Sequence, residues 1–199
     1  PIEQMPEDLI NATITAEDRK FYSHNGINYL SIVRSMYENI KCGCKAQGAS
    51  TLTQQMVRNV ILTLDKTYTR KFKEILLSYA VEGKFTKDEI LELYLNQIGY
   101  GSVNYGVQAA SQAYFDKDVS ELTLAESATL AAMPKQPTRY LRNPDLLKIR
   151  RDWILTNMEE LGYASSEEVA AALAEDTPAI AKLNNITAPH FVLWVKEQL

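Results

Sequence analysis

Apolar positions recur at spacings of three and four along most of the chain, and no stretch alternates convincingly with period two. That pattern predicts a mainly α fold. A first helix opens near Pro6, with Glu7 and Asp8 placed where the helix dipole favours acids. A second, from Asn28 to Ile40, carries Tyr29, Ile32, Val33, Met36, Tyr37 and Ile40 on one face. Residues 42–48 hold two glycines and no periodicity, and read as a loop. Thr51 with Gln54 has capping-box spacing and opens a helix to about Leu62; Thr86 with Glu89, Thr123 with Glu126 and Ser165 with Glu168 repeat it. A helix from Tyr68 to Phe85 places Tyr68, Phe72, Ile75, Leu76 and Tyr79 on one face and Glu74 opposite. Gly99, Gly101 and Gly106 mark a turn-rich joint, Pro134, Pro137 and Pro144 interrupt the helices, and Gly162 suits a helix C-terminal cap. The expectation is one compact helical domain over residues 1–199.

Composition narrows the function classes. At 199 residues, 46% hydrophobic and 23% charged, the chain can bury a real core and is neither a disordered tail nor a disulfide-stapled mini-protein. A net charge of -4 argues against general nucleic-acid binding. No apolar run approaches the ~18–20 residues of a membrane-spanning helix. Pro1 begins no leader pattern, and a start without Met fits a piece of something longer. Cys42 and Cys44 could be half a metal site, but no second cysteine pair exists and His24 and His190 are the only histidines, which disfavours a four-ligand structural metal. Two thiols in a loop is the plainer expectation.

The candidate chemistry starts at Glu17. Ile10, Ile14, Glu17, Phe21 and His24 fall at helical spacing, so one continuous helix would set a carboxylate in an apolar stripe. Desolvation there raises a pKa and suits proton transfer; the competing reading sets Glu17 at the stripe's edge, paired with Arg19, Lys20 or a helix terminus. Glu74 has Arg70 four residues before it and Lys71 three, which would hold it ionised. Such pairs also decorate ordinary solvated helix faces. Gln55, Arg58 and Asn59 share a face of the helix after Gly48-Ala-Ser-Thr51, whose start offers free N–H groups and two hydroxyls. With Lys66, Arg70, Lys71 and Lys73 this makes a local basic region fitted to a small anion such as a phosphate.

Five stretches in order then carry a resemblance: Glu17 to Gly26, Gly48 to Gln55, Arg70 to Glu74, Lys87 to Asn96 and Arg150 to Leu155. The chain resembles glycosyltransferase family 51, the peptidoglycan glycosyltransferases of class A penicillin-binding proteins and monofunctional transglycosylases. The resemblance implies a lysozyme-like fold with a mobile loop and a membrane-facing apolar region, acting on the outer face of the bacterial cytoplasmic membrane. It implies that lipid II is polymerised onto a growing glycan strand. Glu17 would be the general base and Glu74 would assist departure of the lipid pyrophosphate, through a divalent ion (Mg or Mn) or through basic partners. Asp18, Phe21 and His24 would shape the site; Ser50, Thr51, Gln55, Arg58 and Asn59 would line the donor side, with Arg70 and Lys71 as anion contacts. No cofactor is demanded by the sequence itself. Partners implied are lipid II, the membrane and a C-terminal transpeptidase domain in a bifunctional parent, with no nucleic acid. The fourth stretch reads as structural, from Ile90, Leu91, Tyr94 and Leu95 at core spacing, with Asn96 ending the helix; Arg150 and Arg151 read as scaffold. Two rivals stand beside this: a lysozyme-like glycan-cleaving enzyme, and a non-catalytic glycan- or lipid-binding module.

Overall fold

In the computed structural model, which describes residues 1–43, 49–60, 68–101 and 104–176, ten α-helices follow one another. They are α1 (Glu7–Glu17), α2 (Tyr29–Cys42), α3 (Leu52–Val60), α4 (Tyr68–Glu82) and α5 (Lys87–Gln97). After them come α6 (Val107–Phe115), α7 (Leu124–Ala132), α8 (Pro137–Arg142), α9 (Pro144–Glu160) and α10 (Ser166–Ala174). A single bridge, Gly99 to Tyr105, is the only strand-like pairing among the described residues. The all-α expectation holds.

Local chemistry sets the boundaries. Thr86, Thr123 and Ser165 each accept from the backbone three residues on while the glutamate there reaches back, so all three boxes close. Thr51 and Gln54 do the same at α3, at 3.0 and 3.2 Å. Pro137 and Pro144 lie in the first turns of α8 and α9, starting helices as well as ending them. Past α9, Gly162 at φ +76 and Tyr163 return their N–H groups to Glu159 and Met158, a Schellman closure. Gly106, at φ +82, sits so close to the Asn96 carbonyl that a Cβ would stand 2.7 Å from it. Asn96 does not end α5, which runs one residue further to Gln97.

The core centres on α7, where every residue from Ala125 to Ala132 is buried. Its small side chains let α1 and α9 pack closely against it, while α3 packs on α5 and α4 beside them. Ile90, Leu91, Tyr94 and Leu95 are buried as expected of core positions.

Three expectations are corrected. First, α1 stops at Glu17: Asp18 is extended at φ -159, and its carboxylate is drawn to the start of α3 and to His24. Phe21 therefore enters the core from the 3-10 turn Phe21–Ser23, not from a continuous helical stripe. Second, α4 is inverted. Phe72, Leu76 and Tyr79 are exposed, while Glu74, Ser78 and Val81 face inward. Glu74 thus sits in the core, not on a solvated helix face. Third, α2 extends through Cys42, which is held in a disulfide and is not a thiol. The rest of the expected loop, residues 44–48, and Lys66 lie outside the described residues.

Candidate active site

Four chain segments converge around the end of α1. The first is the turn after Glu17, the second is α2 with Asn28, Ser31, Arg34 and Glu38, the third is the Ala49–Thr51 approach to α3, and the fourth is the mouth made by Lys135 and α9. Between them lies an open cleft of about 640 Å³, with Glu17, Asp18, Ser50, Thr51, Lys135 and Arg150 among its lining residues. A smaller pocket of about 270 Å³ continues it past Trp153 and Arg139.

Glu17 is the last residue of α1, where the helix gives way to the cleft wall. Its Oε2 accepts a hydrogen bond of 2.8 Å from Gln55 Nε2 on α3. Burial pushes its pKa above the ordinary carboxylate value, against the opposing pull of Gln55, Arg150, Lys135 and Arg58. A carboxylate so placed takes up a proton more readily than a solvated one.

Asp18 is buried and its Oδ2 is committed twice, to His24 Nε2 at 2.8 Å and to the Leu52 N–H at 3.2 Å. It ties the turn after Glu17 to the first residue of α3. The carbonyl of His24 accepts from Lys87 Nζ at 2.6 Å, and the same ammonium lies 4.5 Å over the Phe21 ring and 2.8 Å from Glu82. Phe21 and His24 therefore brace the site from behind and do not line the cleft. Thr51 donates to the Gly26 carbonyl at 2.6 Å. Gly26 needs its own freedom: at φ +80 it approaches Ser78 of α4, where a Cβ would meet a carbonyl at 3.1 Å.

Glu74 is 1% exposed and paired with Lys71, whose ammonium also reaches Ser50 Oγ at 3.4 Å. Glu74 does not line the cleft; its link to the cleft is Lys71 and Ser50. Arg58 is half-buried and its charge acts on Glu17, whereas Asn59 is exposed. Arg70 is half-buried at the start of α4, next to Lys71. Among the described residues no three His, Cys, Asp or Glu side chains converge as a metal site. With its carboxylate already carrying an ammonium, Glu74 does not fit a divalent ion.

The cleft itself is lined by five cations absent from the sequence-based site: Arg19, Lys20, Arg34, Lys135 and Arg150. Three carboxylates, those of Glu17, Asp18 and Glu38, face them. Arg150 donates to the Ala16 carbonyl at 2.8 Å and stacks 4.2 Å from the Trp153 ring. Burial lowers its basicity, with Glu17 opposing. Lys135 is lowered too, by burial and then by Arg150, although much of its chain is open to solvent. The scaffold reading of Arg150 is therefore too narrow. For Arg151 it holds: the guanidinium is 1% exposed and donates to the Glu175 and Leu173 carbonyls at 2.8 and 3.4 Å. The signal for the five cations was weak, because they are scattered along the chain and gathered only by folding.

Residues 1–159 match the transglycosylase family model. The chain is 44% identical over 208 residues to penicillin-binding protein 1A of Rickettsia felis, covering all of this chain and 26% of that protein. It is 45% identical over 173 residues to penicillin-binding protein 1F of Bacillus subtilis, covering 86% of this chain and 24% of that protein. The chain thus spans about a quarter of the length of the curated relatives it matches. Among solved structures, penicillin-binding protein 1A from Haemophilus influenzae is 35% identical with a TM-score of 0.43, over 63% of this chain and 16% of that one.

Proposed function

The chain belongs to the transglycosylase family, and from that premise we propose that residues 1–199 form a peptidoglycan glycosyltransferase domain that polymerises lipid II. The observation that supports this best is Glu17, a carboxylate with a raised pKa, fixed by Gln55 at the wall of a cleft rich in cations. A lysozyme-like hydrolase has a neutral sugar as leaving group and no use for that many positive charges.

In this reading the acceptor's sugar 4-hydroxyl gives its proton to Glu17 as its oxygen attacks the anomeric carbon of the donor. The new C–O bond forms as the bond to the lipid pyrophosphate breaks, and undecaprenyl pyrophosphate leaves with the electron pair. Direct displacement inverts the α-linked donor into a β-1,4 glycan, by analogy with inverting glycosidases. Arg58, Arg70 and Lys71 on one side, with Lys135 and Arg150 on the other, stabilise the phosphate charge. Glu74 positions Lys71.

The exposed apolar face of α2 and α4 meets the lipid of the substrate and the membrane surface, on the outer side of the bacterial cytoplasmic membrane. Tyr29, Leu30, Val33, Met36, Tyr37 and Ile40 project from α2, and the Tyr29 and Tyr79 hydroxyls join that face to Phe72 and Leu76 of α4. No helix among the described residues is long and apolar enough to cross a membrane. A transpeptidase domain following this one in a longer parent fits the length of the relatives.

The test is incubation of the purified chain with lipid II and separation of the products. Polymer with release of the lipid pyrophosphate is expected, and Glu17→Gln should lower turnover at least ~100-fold while the protein stays folded. A folded Glu17→Gln protein that polymerises at the wild-type rate would falsify this assignment of the base.

A further inference from the structure

α5 packs across α3 and carries Tyr94 into the interior, 1% exposed. Burial is the main reason its phenol pKa is raised; the charge of Glu17 raises it further and that of Arg58 lowers it. Its hydroxyl has no hydrogen-bond partner among the described residues, although it is enclosed by protein. A buried hydroxyl without a partner weakens a fold, and phenylalanine would fill almost the same volume without that penalty. Packing therefore accounts for the ring of Tyr94 but not for its oxygen. Other tyrosines show the ordinary solution: Tyr114 donates to the Tyr100 carbonyl at 2.7 Å, and Tyr22 to Asp88 at 2.9 Å. Glu17, for its part, is held by one donor, Gln55, on one carboxylate oxygen. A carboxylate accepts several such bonds.

We propose that Tyr94 is a positioning residue for the base: in the substrate complex its hydroxyl donates to the Glu17 carboxylate from α5 while Gln55 donates from α3. The oxygen facing the cleft is then left to take the acceptor's proton. This rests on the reading of Glu17 as the base. Gln55 from α3 bonds Glu17, and the charges of Arg58 on α3, Arg150 on α9 and Lys135 in the turn before α8 act on it, while Glu17 in turn acts on Tyr140 of α8. The charged and titratable groups that act on Tyr94 are Glu17, Tyr100 and Arg58. All remain when only the hydroxyl is removed.

The experiment is Tyr94→Phe in the full chain, assayed on lipid II across pH beside wild type and Glu17→Gln. Loss of one hydrogen bond to a charged group should lower kcat about tenfold or more. KM should stay within about twofold. The acidic limb of the kcat profile should move to higher pH, because a donor to the carboxylate favours its charged form. The melting temperature should hold or rise, which a packing role for the hydroxyl would not produce. 3-Fluorotyrosine at position 94, a more acidic phenol of nearly the same shape, should move the limb to lower pH, and it decides the matter if the Phe variant does not fold. Wild-type kcat with an unmoved limb, beside an inactive Glu17→Gln, would overturn the positioning role. An active Glu17→Gln would instead overturn the reading of Glu17.

Discussion

α7 and α2 are both rich in apolar residues, yet the fold treats them in opposite ways. α7 has eight consecutive buried residues, from Ala125 to Ala132, whereas of the fourteen in α2 only Ser35 is buried. α2 is held by its ends and its polar edge. Asn28 caps it through the Ser31 N–H at 3.0 Å, and the Tyr29 hydroxyl meets that of Tyr79. The contrast separates two duties: the α1–α7–α9 packing fixes where Glu17 stands, and the α2–α4 face contributes little to stability but presents an apolar surface. Amphipathic spacing thus reports that a helix forms, and leaves open which way it faces.

The largest effect that would test this division lies in the core. Leu130→Ala or Ile154→Ala removes a fully buried side chain and should cost about 2–5 kcal/mol in chemical denaturation. A smaller loss at these positions would mean that the α7 side is not the structural half. Next come the basic residues of the proposed phosphate clamp. Arg58→Ala and Arg70→Ala should each lower turnover by roughly 10- to 150-fold, through lost charge-assisted bonds of about 1.5–3 kcal/mol, with melting little changed. Wild-type turnover of the double variant would remove the phosphate clamp from the α3–α4 half.

Glu17 links the two duties, and pH exposes the conflict. Its folded pKa is raised above the ordinary 4.5, so the group favours the fold below that value, and the contribution is lost as pH rises through the folded pKa. Glu17→Gln should therefore melt higher than wild type at about pH 7, with the gap closing towards about pH 4. Turnover should run the other way, rising as the carboxyl loses its proton. A mutant less stable than wild type at neutral pH would contradict the burial argument.

The smallest expected change in stability belongs to α2. Val33→Ser, Met36→Ser and Tyr37→Ser alter exposed positions, and each should shift unfolding by no more than about 0.5 kcal/mol. Together they should weaken sedimentation with phosphatidylglycerol vesicles. Undiminished sedimentation would detach the apolar face from the membrane.

What could be read from sequence was whatever is local. A capping box needs two residues three apart, so the starts of α3, α5, α7 and α10 were legible, as was Gly162 past α9. The raised pKa of Glu17 was anticipated from a helical stripe that does not exist beyond Glu17; the residue is half-buried, and tertiary packing is what covers it. The inversion of α4 was not legible, because Glu74 and Ser78 alternate with Phe72 and Leu76 as in any surface helix. Only the docking of α3 decides which side turns in. Nor were the cleft's cations legible. Arg150 meets the Ala16 carbonyl across 134 residues of sequence, and a window of local charge finds Arg70 and Lys71 instead.

The sparse attachment of α2 also has a consequence for exchange with solvent. A helix with one buried residue in fourteen can open locally at far less than the global unfolding free energy, whereas the amides of α7 can exchange only when the whole core opens. Protection measured amide by amide should therefore fall into two tiers, low along Tyr29–Cys42 and at the global limit along Leu124–Ala132. One wall of the cleft, Asn28 to Glu38, would then fluctuate against a fixed wall that carries Glu17.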